Sequence, residues 1–187
     1  MGEPILAMCL SSRRSLCIHP KVSKLDERES VDSECRRRTA PWVTQTADLD
    51  YSKAEDIENA ARCVYYDQFM DGHDKEFKFP AAIYNLDDLR DLGAKAKMCP
   101  YFLARHFLTH SNIIVYSYSY IIDPKIANLV SAELQSDCVV VFDECHNIDN
   151  ACIEAMSLNI NSKSLEMASQ ALKRLEDLVK AEKQSGS

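Results

Sequence analysis

Apolar residues gather in short unbroken runs along this chain, with long polar stretches between them. Ile5-Leu6-Ala7-Met8-Cys9-Leu10 is one such run, ended by Ser11-Ser12-Arg13-Arg14, and it predicts a strand entering a sheet. Ile113-Ile114-Val115-Tyr116-Ser117-Tyr118, rich in β-branched and aromatic residues, predicts a second strand. Val139-Val140-Val141-Phe142 predicts a third, apolar on both faces as in the interior of a parallel sheet. Between the last two, Asp123-Pro124 has the form of an N-cap and first helical residue, and Ile126, Leu129, Val130 and Leu134 form an apolar helix face. Strand, helix and strand over residues 112–142 therefore predict a βαβ unit and a parallel pair.

Helical spacing appears in four further places. Ile57, Ala60, Ala61 and Val64 share one face of a predicted helix over 54–66. Residues 84–93 predict a short helix with Asn85 at its N-cap, Asp87 and Asp88 in its first turn and Gly93 at its C-cap. Pro100 opens another, carrying Tyr101, Phe102, Ala104, Arg105 and Phe107. Leu165, Ala168, Leu172, Leu175 and Val179 make a stripe on a last, otherwise polar helix. The fold class is α/β.

The 187 residues suffice for one good-sized domain or two small ones, and 46% hydrophobic content supports a core. A net charge of −7 argues against nucleic-acid binding through the whole surface, but leaves room for a local basic path. No apolar run reaches transmembrane length. Met1-Gly2-Glu3-Pro4 lacks the basic start of a secretory signal, and Leu6 stands where a myristoylation signal has Ser or Thr. These features point to an intracellular protein without a membrane role.

Inside a cell, eight cysteines favour metal ligation over disulfides. Residues 17–80 are polar, poor in periodicity and carry Cys17, Cys35 and Cys63; such a segment needs a staple, such as a metal, to fold. These three and Cys99 lie in polar or loop-like sequence. Arg13, Arg14, Arg36, Arg37, Arg38, Lys95 and Lys97 surround three of the four, and positive charge favours thiolates. Cys99-Pro100 resembles the Cys-Pro that closes iron–sulfur ligand sets. Their wide spacing, without a Cys-x-x-Cys pair, leaves two readings open: ligands of one metal centre, or four free thiols. Cys9, Cys138 and Cys152 lie in apolar sequence and read as core. His19 and His146 read equally as ordinary polar residues and as ligands.

Asp143 and Glu144 follow the third apolar run directly. Carboxylates at the carboxyl end of a sheet strand sit where α/β folds bind ligands. There an aspartate holds Mg²⁺ of a nucleotide triphosphate, and a neighbouring glutamate can position and deprotonate the attacking water. The alternative is an acidic, solvated turn. The four glycines, Gly2, Gly72, Gly93 and Gly186, are too dispersed for a phosphate loop, and no Gly-Lys-Ser/Thr occurs. Any phosphate loop serving Asp143 and Glu144 lies outside these residues.

Together the strings Ser11-Ser12-Arg13-Arg14-Ser15-Leu16-Cys17-Ile18-His19-Pro20, Ala81–Leu89, Cys99-Pro100-Tyr101-Phe102-Leu103-Ala104-Arg105, Val115–Ala127 and Val140–Asn150 resemble the xeroderma pigmentosum group D family, iron–sulfur helicases of superfamily 2. The likeness covers nearly the whole chain. It implies part of a RecA-like P-loop motor domain, with an inserted, mostly helical iron–sulfur domain and the start of a helical arch domain. On this basis residues 1–14 belong to the motor domain, 15–100 to the iron–sulfur domain, 101–152 to the motor domain again and 153–187 to the arch. The chain is then expected to be an internal fragment or truncated product of a longer helicase, inactive alone.

The resemblance implies an ATP-dependent 5′–3′ DNA helicase of transcription factor IIH, nuclear, acting in nucleotide excision repair and transcription initiation. It makes Cys17, Cys35, Cys63 and Cys99 the ligands of a [4Fe–4S] cluster. It makes Asp143, the Mg²⁺ holder, with Glu144 and His146 the catalytic Walker B set acting on ATP. It places Arg13, Tyr101 and Arg105 near the DNA path, where arginines suit phosphates and an exposed tyrosine suits base stacking. Implied partners are single-stranded or forked DNA and other subunits of that factor, including its kinase-assembly subunits. The alternatives are a non-catalytic iron–sulfur or zinc-binding module and a docking piece for partner subunits. Two departures stand out. Cys145 replaces the usual alanine, with hydrolysis expected to survive, and the interval from Cys35 to Cys63 is longer than usual, which a surface loop accommodates.

Overall fold

The computed structural model describes residues 4–43, 54–72, 80–124, 126–127, 137–157 and 160–185. The chain divides into two compact units, Met1–Val141 and Phe142–Ser187. The first is built on a small parallel sheet rich in flanking helices. Its strands are β1 (Ala7–Cys9), β2 (Ile83–Tyr84) and β3 (Ile113–Val115), in the order β2-β1-β3. Ala7 pairs with Ile83 on one side and Ile113 on the other. Asn112 locks the register: its side-chain Oδ1 accepts from Leu6 N at 2.8 Å, while its main-chain N–H donates to Leu6 O at 2.9 Å.

Parallel neighbours require long crossovers. The crossover from β1 to β2 carries Cys17, Cys35 and Cys63; that from β2 to β3 carries Cys99. The helices of these crossovers are α1 (Arg13–Leu16), α2 (Arg28–Thr39), α3 (Ala54–Asn59), α4 (Val64–Gly72), α5 (Leu86–Ala96) and α6 (Pro100–His106). The run after β3 opens with α7 (Ser119–Ile122). Leu6, Met8, Leu16, Phe69, Leu89, Cys99, Leu103 and Phe107 form the main core, and Leu10, Leu108 and Tyr120 a smaller one. Leu89 is 1% exposed at the centre of the larger cluster. Leu89→Ala is expected to lower the unfolding free energy of this chain by about 2–5 kcal/mol; urea titration showing a loss under about 1 kcal/mol would contradict the packing.

Several predicted boundaries move, each for a local reason. The helix expected over 54–66 breaks into α3 and α4, because Ala60–Cys63 turns inward and Cys63 N donates to Arg38 O at 3.1 Å. Asn85 does cap α5, in a reciprocal capping box with Asp88. Gly93 is not the C-cap: α5 runs on to Ala96, and Lys97 takes the left-handed cap position at φ 56°. Gly93 instead permits close packing, since a Cβ there would strike Pro100 Cγ and come 2.8 Å from Met98 O. The strand β2 is too short to leave a periodic signal.

The largest correction concerns Val139–Phe142. These residues form no strand, and Val139 and Val141 are 88% and 84% exposed. A run apolar on both faces persists as a strand only between covering layers and pairing neighbours, and among the described residues nothing pairs with it. Among the described residues no βαβ unit forms over 112–142; the parallel pairs there are β1 with β2 and β1 with β3. Cys138, expected in the core, is exposed with this run, while Cys9 and Cys152 are half-buried. The helix opened by Asp123 begins as expected, with Ile126 N and Ala127 N donating to Asp123 O, but Leu129, Val130 and Leu134 lie outside the described residues.

The second unit holds α8 (Ile148–Met156) and α9 (Ser162–Ser185). The last helix carries the predicted stripe, with Leu165, Leu172, Leu175 and Val179 all exposed. Among the described residues no helix is long and apolar enough to cross a membrane.

Candidate metal centre and carboxylate turn

Cys17 follows the end of α1, Cys35 sits within α2, Cys63 occupies the turn before α4, and Cys99 takes the N-cap position of α6. These elements are tied together by main-chain bonds: Cys63 N to Arg38 O at 3.1 Å, and Cys99 N to Tyr65 O at 2.9 Å. None of the four forms a disulfide. The thiols are neighbours electrostatically. Burial pushes Cys17 up to about 11 and Cys63 up to about 12, and Cys35 also acts to raise both. Burial raises Cys99 further still, with Cys63, Cys35 and Cys17 all adding to it. Cys35 is raised by burial too, against the nearby Arg13 guanidinium.

Opposing this cost, main-chain N–H groups point at the sulfurs. His19 donates to Cys17, Tyr66 and Tyr65 to Cys63, and Phe102 to Cys99, each favouring the thiolate. Such a donor set suits a cationic core, which would offset the burial that holds the thiols protonated and the smaller repulsion among them. Among the described residues no three His, Cys, Asp or Glu side chains are placed to hold a single metal ion.

His19 is 1% exposed, and its Nδ1 accepts from Lys21 N at 3.2 Å and Val22 N at 3.4 Å. Burial, helped by the Arg38 charge, pushes it down to about 4, so at neutral pH it is an uncharged brace for the turn after Cys17. Of the basic run Arg36–Arg38, only Arg38 is buried. Composition registers the run as local positive charge; nothing in its spacing distinguishes Arg38.

Arg13, Tyr101 and Arg105 do come together. Both guanidiniums lie over the Tyr101 ring, at 4.4 Å for Arg13 and 4.3 Å for Arg105. Tyr101 itself is only 5% exposed. The expected exposed stacking platform is therefore a buried ring holding two cations in place, an arrangement worth about 0.5–2 kcal/mol per contact. Arg13 Nε is buried without a hydrogen-bond partner.

In the second unit Asp143 and Glu144 form a turn rather than a strand end. Glu144 has φ 49°, a left-handed conformation uncommon for a side-chain-bearing residue, and leads into the 3₁₀ turn Cys145–Asn147. His146 Nδ1 lies 3.3 Å from Glu144 Oε2, with both side chains well exposed. Glu144 and His146 are thus in contact, with Asp143 in the same turn, and strain of this kind is common where a side chain must be aimed.

A family model described as DEAD_2 matches residues 1–165. The chain is 43% identical, over 91% of its length, to the general transcription and DNA repair factor IIH helicase subunit XPD of Arabidopsis thaliana. It is 40% identical, over 97% of its length, to the subunit of the same name in Dictyostelium discoideum. It is 30% identical, over 87% of its length, to the regulator of telomere elongation helicase 1 of Mus musculus. It spans only 22%, 23% and 12% of these relatives' own lengths.

Proposed function

This chain belongs to the DEAD_2 family, and from that premise we propose that it is a segment of an ATP-dependent 5′–3′ DNA helicase of transcription factor IIH, working in the nucleus in excision repair and transcription initiation. Its relatives in Arabidopsis and Dictyostelium carry the name of that factor's helicase subunit. The observation that carries the metal part is that four thiols, Cys63 and Cys99 buried and Cys17 and Cys35 half-buried, lie within electrostatic reach of one another, three of them with main-chain N–H donors. Cys17, Cys35, Cys63 and Cys99 would hold a [4Fe–4S] cluster, one thiolate to each iron. When bound, the cluster staples the two crossovers; the chain's own residues do the rest.

Arg13 and Arg105, steadied by Tyr101, would contact phosphates of single-stranded or forked DNA passing the cluster domain. Asp143 would hold Mg²⁺, which when bound neutralises charge developing on the transferring phosphate. Glu144 would orient and deprotonate the attacking water, with His146 fixing its carboxylate. Other subunits of the factor, the kinase-assembly ones included, would dock on the cluster domain and arch helix.

No phosphate loop occurs in these residues. The 187-residue chain alone is therefore expected to show no ATP hydrolysis, whereas the complete helicase is expected to hydrolyse ATP. Phosphate release by the isolated chain above its buffer blank would contradict this division of labour.

A further inference from the structure

Arg38 is 2% exposed, three residues beyond Cys35 on α2. A charge that deep needs its donors satisfied. Its guanidinium donates to Ala60 O, to Glu58 O at 3.4 Å and to Glu34 Oε1 at 2.8 Å. Its own carbonyl accepts from Cys63 N at 3.1 Å. Its NH1 also lies 3.5 Å from His19 Nε2, on the turn after Cys17. Helix α3 ends at Asn59, and its last carbonyls have no helical partner; Arg38 takes two carbonyls at that end. One residue thus grips the 58–63 turn through side chain and main chain at once, and touches the segments bearing three of the four thiols. Arg62 fastens the same turn from the other side, donating to Val43 O at 2.8 Å and to both oxygens of Asp67.

We propose that Arg38 is a positioning residue for the metal centre: it caps the end of α3 and thereby sets Cys63 in register with Cys17 and Cys35. This rests on the reading of Cys63 as a cluster ligand, and it explains how a long Cys35–Cys63 interval still delivers its thiol to one place. Arg38 never touches iron in this scheme; it acts through the Cys63 turn.

The test uses the full chain purified without oxygen. Arg38→Met fills similar space without donors. Loss of an outer-shell partner commonly weakens metal binding about 10–100-fold, so iron release to a ferrous chelator is expected to quicken at least about tenfold, with a changed EPR line shape after dithionite reduction. Leu108→Ala, a cavity in the smaller core, is the control for general destabilisation and should keep the wild-type release rate and line shape. Wild-type release by Arg38→Met, or equal acceleration in Leu108→Ala, would overturn the proposal. Should Arg38→Met not fold, Arg38→Lys keeps the charge but not the fork spanning two carbonyls; it too should release iron faster, and wild-type behaviour would overturn the assignment. A wild-type sample without iron and sulfide would instead sink the cluster reading, and this proposal with it.

Discussion

Cys99→Ser is expected to strip the protein of iron and sulfide and to abolish duplex unwinding by the complete helicase. Cys99 is one of the two buried thiols of the four: 9% exposed, at the N-cap of α6 and hydrogen-bonded through its N–H to Tyr65 O. Serine offers a poorly ionised hydroxyl in place of a soft thiolate. The consequence extends past the metal. Helix α6 carries Leu103 in the core and Tyr101 and Arg105 in the cation–aromatic cluster. Loosening its N-terminus therefore disturbs the predicted DNA-contacting arginines as well as the cluster. Iron analysis, together with strand displacement on a forked substrate, reads both effects. A brown Cys99→Ser protein with wild-type iron would refute the ligand assignment.

Glu144→Gln in the complete helicase is expected to leave nucleotide affinity near wild type while turnover falls about 10²–10⁴-fold, the usual worth of a general base. Glutamine keeps the shape of the side chain and demands the same φ of 49°, so backbone strain is unchanged and only basicity is lost. The His146 contact at 3.3 Å survives as a neutral hydrogen bond. Steady-state phosphate release, paired with binding of a labelled nucleotide, separates the two quantities. Unchanged turnover would remove Glu144 from the base role.

What the sequence revealed and what it hid follow from physics at particular residues. The run Ile5–Leu10 does hold a strand, β1 over Ala7–Cys9, because its centre is covered, as Met8 at 1% exposure attests, while Ile5 at its start is exposed. Asn85 reads correctly as a cap because capping is a local matter, settled within a turn. Val139–Phe142 misleads because an apolar run states only a demand for cover, and cover comes from elsewhere. Gly93 misleads because local rules make a glycine near a helix end a cap, whereas here it meets Pro100. The four cysteines stand out in the sequence by their polar setting, but no spacing rule shows that two long crossovers carry them within electrostatic reach of one another. Arg38 was invisible for the same reason: its partners Glu58 and Ala60 lie some twenty residues away.

The central claim is that four distant thiols share one inorganic core. It is tested most directly by metal and acid-labile sulfide analysis of the wild-type chain, prepared under strict exclusion of air. About four iron atoms and about four sulfides per chain are predicted. Zinc without sulfide, or a metal-free protein of unchanged fold, would contradict it.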